Sequence, residues 1–130
     1  MEQKRMTDSE VMVMKCIWDS PVKLSMQQIR EVVNMRYGKD WKSQTVSTFL
    51  QRLVGKGYLQ MHKKGRVFFY QPLVDAEECQ IEKLQNILTL WYGDSFPLFV
   101  DHVAKLAERA GEDSDMRVLV QKRNMYKMIL

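Results

Sequence analysis

Residues 43–52 read SQTVSTFLQR, a run in which Gln44, Thr45, Ser47, Thr48, Gln51 and Arg52 all carry hydrogen-bonding groups and none is acidic. Shortly after it, Lys63, Lys64 and Arg66 flank Gly65. Across residues 41–72 there are six basic side chains, Lys42, Arg52, Lys56, Lys63, Lys64 and Arg66, and no Asp or Glu. Amide and hydroxyl groups can bond base edges or phosphate oxygens, an Arg can take a guanine edge or a phosphate, and lysines neutralise phosphates without regard to sequence. The same residues could instead form an ordinary solvated face. Such faces usually mix Glu with Lys, however, and Thr and Ser are weak helix formers, so this composition serves hydrogen bonding better than solubility.

These side chains need elements to hold them. Val46, Phe49, Leu50 and Leu53 follow the i, i+3, i+4, i+7 spacing of a core-facing stripe, which predicts a helix over about 43–56 with the polar residues on its other face. Two helices precede it. Thr7 with Glu10 forms a capping-box start for a helix over about 8–19, carrying Val11, Met14, Ile17 and Trp18. Pro21 breaks the chain, residues 22–24 read as a short strand, and Ser25 with Gln28 opens a helix that ends near Tyr37 and Gly38. After Gly55 and Gly57 come two β-prone runs, YLQMH and RVFFYQP, joined through Lys63, Lys64 and Gly65 as a hairpin. Three helices and a basic-tipped hairpin predict a winged helix-turn-helix, with the third helix in a major groove and the wing along the backbone.

Beyond residue 74 the pattern changes. Asp75 with Glu78 starts a helix striped by Ile81, Leu84, Leu88 and Trp91. A break at Gly93 leads into another helix with Phe96, Phe99, Val100, Val103 and Leu106. An acidic turn over 111–115 and a last apolar segment with Met116, Leu119, Val120, Met125 and Ile129 complete the chain. Short helices of this kind cannot hide their apolar faces alone, so Ile81, Leu84, Leu88, Trp91, Phe96, Phe99 and Val103 are expected at a two-fold homodimer interface. The expected division is residues 1–74 for DNA binding and 75–130 for dimerisation. The fold class is therefore mostly α with a small β-hairpin: a winged helix-turn-helix followed by a C-terminal helical dimerisation domain. Two-fold symmetry in turn implies an inverted-repeat operator in double-stranded DNA.

Charge follows the same division. The net charge of +4 is uneven, with 13 basic and 6 acidic residues in 1–72 against 7 and 10 in 73–130. No apolar run reaches the about 20 residues of a membrane span, and the polar opening MEQKRMTDSE has no secretory character, so a cytoplasmic protein without membrane contact is expected. Cys16 and Cys79 sit in apolar-periodic stretches and read as small buried hydrophobes more readily than as redox or metal groups. His62 reads as a phosphate contact or plain surface, and His102 as a helix-surface or interface residue. The ten Met are scattered, as core filler would be. There is no Gly-rich phosphate loop, no Ser/His/Asp set and no dense His/carboxylate cluster, so neither an enzyme nor a cofactor is expected. A winged-helix module gripping an acidic protein partner is the alternative to a DNA-binding repressor.

The segments MTDSEVMVMKCIWDSP, WKSQTVSTFLQRLVGKGYL and KGRVFFYQPLVDAEE, with LWYGDSF further on, resemble the penicillinase-repressor family over nearly the whole chain. That resemblance implies a homodimeric bacterial repressor on a palindromic operator, controlling an antibiotic-resistance or stress-response operon. Its DNA-contacting positions fall on Gln44, Thr45, Ser47, Thr48 and Arg52, with Arg66 in the wing. Family members often open this helix with Ser-Pro-Lys, whereas Lys42, Ser43 and Gln44 stand here, which implies a different base preference. A sensor protease is the further partner implied, acting on an Asn-Phe bond, yet His102 and Val103 occupy that place. The paired Cys-x-Cys of the copper-responsive branch is missing.

Overall fold

The computed structural model describes residues 5–110. The chain divides into two compact units, Met1–Cys79 and Gln80–Leu130. The division falls a turn later than the one expected after residue 74. Cys79 packs against the core of the first unit, and the Trp18 indole donates to the Val74 carbonyl at 3.0 Å, so the residues leading out of the sheet are held with that unit.

In the first unit, α1 (Asp8–Trp18), α2 (Met26–Tyr37) and α3 (Ser43–Gly55) surround a three-stranded antiparallel sheet of β1 (Leu24–Ser25), β2 (Leu59–Lys64) and β3 (Val67–Pro72), in the order β1-β3-β2. Local signals set the ends of the helices. Thr7 with Glu10 and Ser25 with Gln28 make reciprocal capping boxes at the starts of α1 and α2, and α2 stops at Gly38, whose φ of 62° is the left-handed conformation glycine adopts without steric cost. The core is built from one stripe per helix: Val13, Met14 and Ile17; Ile29 and Val33; Val46, Leu50 and Leu53. Leu24, Tyr58, Leu59 and Tyr70 close it from the sheet side. Cys16 is buried within it, and burial pushes its thiol pKa up, which makes it a poor nucleophile.

Two strand expectations shift. The first strand is Leu24–Ser25 and not 22–24, because pairing exists only opposite Tyr70 and Phe69, while Val22 is held in a tight turn by the Ser20 hydroxyl. In the hairpin, Lys63 and Lys64 belong to β2, pairing with Phe68 and Val67, so the turn is the two residues Gly65 and Arg66. Gly65 has φ 66°, and glycine at the first turn position matches the twist of the flanking strands. Arg66 thereby stands at the very tip of the wing.

In the second unit, α4 (Ala76–Tyr92) runs in from the first unit and is followed by α5 (Phe96–Arg109), capped by Ser95 on the Leu98 amide. The expected acidic turn over 111–115 and the last apolar segment lie outside the described residues. No described residue of α4 is buried, and α5 buries only Ala104 and Ala107. Among the described residues, no helix is long and apolar enough to cross a membrane.

Candidate nucleic-acid interface

The candidate interface is built on α3. Its apolar stripe is anchored in the core, which turns the opposite side outward. Gln44, Thr48, Gln51 and Arg52 are exposed, and Thr45 and Ser47 are half-buried at the edge of that face. The Thr48 hydroxyl donates to the Gln44 carbonyl one turn back, at 2.9 Å, so it offers acceptor lone pairs outward. Lys42 stands at the N-cap without capping α3 through its side chain, unlike the caps of α1 and α2. No side-chain cap engages the amides of the first turn of α3, an arrangement suited to a phosphate oxygen.

What aims α3 lies outside it. The peptide of Trp41, just before the helix, is clamped from α2: the Asn34 side chain accepts from the Trp41 amide at 2.9 Å and donates to its carbonyl at 3.1 Å, while Arg30 Nε donates to the same carbonyl at 2.9 Å. The Trp41 ring packs at 5.0 Å on Phe49 of α3. Ser43 Oγ donates to Gln27 on the first turn of α2 at 3.4 Å. Arg30 and Asn34 are positioning residues that sequence reasoning missed, since nothing in the spacing of α2 marks them as contacts to a peptide beyond its own end.

At the far end of α3, Lys56 turns inward, although it counts among the six cations of the acid-free stretch. Its ammonium bonds Glu10 Oε1 at 2.7 Å and the Arg5 carbonyl at 3.0 Å. Glu10, the capping residue of α1, is fully buried. Burial pushes its carboxyl pKa up, but the Lys56 hydrogen bond and those of Thr7 outweigh this and leave it below the ordinary glutamate value. Lys56 is therefore a structural cation joining α3 to α1, and the charge available to a polyanion comes from Lys42, Arg52, Lys63, Lys64 and Arg66, all exposed.

The wing presents Lys63, Lys64 and Arg66 together at its tip. His62, expected at the surface or on a phosphate, is half-buried opposite Phe69, with its Nε2 enclosed and without a hydrogen-bond partner among the described residues. Among the described residues, no three His, Cys, Asp or Glu side chains gather into a metal-holding group.

In the second unit, Ile81, Leu84, Trp91 and Phe96 are exposed, while Leu88, Phe99 and Val103 are half-buried. Phe99 meets the Tyr92 ring edge-on at 5.4 Å, and the Tyr92 hydroxyl lies 3.1 Å from His102 Nδ1. Leu90 and Leu106, absent from the expected interface, are among the most exposed apolar residues, at 71% and 62%. His102 and Val103 lie inside α5.

A helix with an acid-free, hydrogen-bonding outer face, followed by a basic hairpin on one three-helix core, defines a winged-helix DNA-binding protein. The chain belongs to the penicillinase-repressor family, whose model, described as "Penicillinase repressor", matches residues 6–122. It is 29% identical to the penicillinase repressor of Bacillus licheniformis over 125 residues, covering 95% of each chain. It is 27% identical to the methicillin resistance regulatory protein MecI of Staphylococcus aureus (strain N315) over 118 residues, covering 90% of this chain and 94% of the relative. The solution structure of the DNA binding domain of the repressor BlaI matches 59% of this chain and 93% of its own length, at 33% identity and a TM-score of 0.50.

Proposed function

We propose that this protein is a transcriptional repressor that binds an inverted-repeat operator in double-stranded DNA as a homodimer. The observation that carries the proposal is the outward face of α3, where Gln44, Thr48, Gln51 and Arg52 stand exposed with no acid between them, with the cations of the wing in the same unit. In this reading α3 enters the major groove. Gln44, Thr45, Ser47, Thr48 and Arg52 read base edges or hold the nearest phosphates, and Lys42, Lys63, Lys64 and Arg66 bind the backbone.

Residues 75–130 provide the dimer. A 17-residue helix with no buried residue, carrying Trp91 at 81% exposure, supports a second copy as its cover. A sensor protease stays among the proposed partners. Cleavage between His102 and Val103 would need that turn of α5 to open, so proteolytic release would use a different bond or a loosened helix. The proposal is tested by nuclease footprinting of the full-length protein on fragments of its source genome. A protected inverted repeat with half-sites one or two helical turns apart is expected, and protection without dyad symmetry, or none at all, overturns it.

A further inference from the structure

The wing carries apolar side chains that its charge does not explain. Antiparallel register sets Met61 opposite Tyr70 and Lys63 opposite Phe68, and directly opposed residues share a face of a hairpin. At its base this face is core, with Tyr70 and Leu59 buried in the same cluster as Leu50 and Leu53 of α3. Toward the tip it emerges into solvent, leaving Met61 44% and Phe68 43% exposed. Lys63 Nζ stands 5.6 Å from the centre of the Phe68 ring, a cation–π distance that keeps the ammonium beside the ring. An exposed aromatic among Lys63, Lys64 and Arg66, in a segment without a single acid, complements a surface on which apolar and anionic groups alternate. The wall of a nucleic-acid groove is such a surface, with deoxyribose rings set between phosphates.

We propose that Phe68, backed by Met61, is a DNA-contact residue. Its ring lies against deoxyribose in the duplex, and Lys63, held over that ring, meets the adjoining phosphate. The inference rests on the DNA-binding reading above and adds to it a contact that is neither electrostatic nor base-specific.

The test is a titration of full-length wild type, Phe68→Ala, Phe68→Leu and Lys64→Gln against two duplexes over a range of salt, one carrying the footprinted repeat and one of random sequence. Phe68→Ala is expected to weaken binding to both duplexes about tenfold, as loss of a largely buried apolar contact would. That loss should survive extrapolation to 1 M salt, where counterion release no longer contributes. Lys64→Gln should instead lower the salt slope by about 0.9 and lose its effect at 1 M. Wild-type affinity in a Phe68→Ala protein that melts like the wild type overturns the inference. So does a loss that vanishes at 1 M salt, which would make the ring only a prop for Lys63. If Phe68→Ala does not fold, Phe68→Leu decides: binding about threefold weaker is expected from the lost ring face, and unchanged binding overturns the inference. Failure of the wild type to bind either duplex would sink the DNA-binding reading itself, an outcome distinct from the others.

Discussion

Arg52 and Lys56 lie one helical turn apart in sequence and do opposite work. Arg52 is exposed on the outer face of α3, so Arg52→Ala should leave the far-UV circular dichroism and the melting curve unchanged while operator binding weakens by about 1–3 kcal/mol in an anisotropy titration. Lys56 faces inward to Glu10, and Lys56→Met would leave a buried carboxylate without its counter-charge, at a cost of about 3 kcal/mol at pH 7. The pH dependence has a definite sign. In the wild type the folded Glu10 pKa lies below its unfolded value of about 4.3, so the pair's contribution is complete above that value and is lost as pH falls through it to the folded one. In Lys56→Met the strongest lowering contact is gone and burial dominates. The carboxyl then takes up its proton more readily on folding, and the stability gap to the wild type should narrow in urea melts as the pH is brought from 7 to 4. A gap that stays constant over that range would show that Lys56 contributes packing and not charge.

For the elements, the question is what holds α3 at its angle. Its apolar stripe holds it to the core, but a stripe of aliphatic side chains tolerates rotation and sliding that a pair of directed hydrogen bonds does not. Asn34 supplies that pair on both sides of the Trp41 peptide. Asn34→Ala should therefore cost about 1–2 kcal/mol of stability, because the Trp41 amide loses its partner while the Trp41 carbonyl keeps only the bond from Arg30. It should also weaken operator binding at a temperature where the variant is fully folded, although every groove-facing side chain of α3 is intact. Amide chemical shifts over 41–48 would report the displacement, and unchanged shifts with unchanged binding would assign the aim of α3 to its packing alone. The wing is built the other way, since its aim follows from register. With Lys64 paired to Val67, only a two-residue turn remains, and this lifts Arg66 to the tip.

At the scale of the whole molecule, the acid-free cationic stretch lies in the first unit, where Val22, Met35 and Phe68 are also exposed, and the described helices of the second expose Ile81, Leu84, Leu90, Trp91 and Leu106. Burying side chains of this size yields about 1.5–3 kcal/mol each, so a handful across a two-fold axis exceeds the cost of association. Analytical ultracentrifugation should find the full chain dimeric at micromolar concentration and residues 1–79 monomeric. The shorter chain should keep only half-site binding, weak at physiological salt. A dimeric 1–79 fragment, or a monomeric full chain that binds the operator just as tightly, would contradict this division of labour.

Much of this architecture was legible in the sequence because its causes are local. The capping boxes at Thr7 and Ser25, the stop at Gly38, the stripe of Val46, Leu50 and Leu53 and the polar row beside it depend only on spacing along a helix of known pitch, and the observed helices begin and end within a residue or so of the expected bounds. What only the tertiary structure decided depends on groups distant in the chain. Lys56 meets Glu10 across 46 positions, so one of the six cations of the acid-free stretch belongs to the fold. Arg30 and Asn34 reach a peptide beyond the end of their own helix. Phe68 shares a face with the buried Tyr70 and yet stands in solvent, because the hairpin extends past the helices that cover its base. Periodicity records which face a side chain occupies, whereas where that face runs out of protein to cover it is set by the packing of elements against one another.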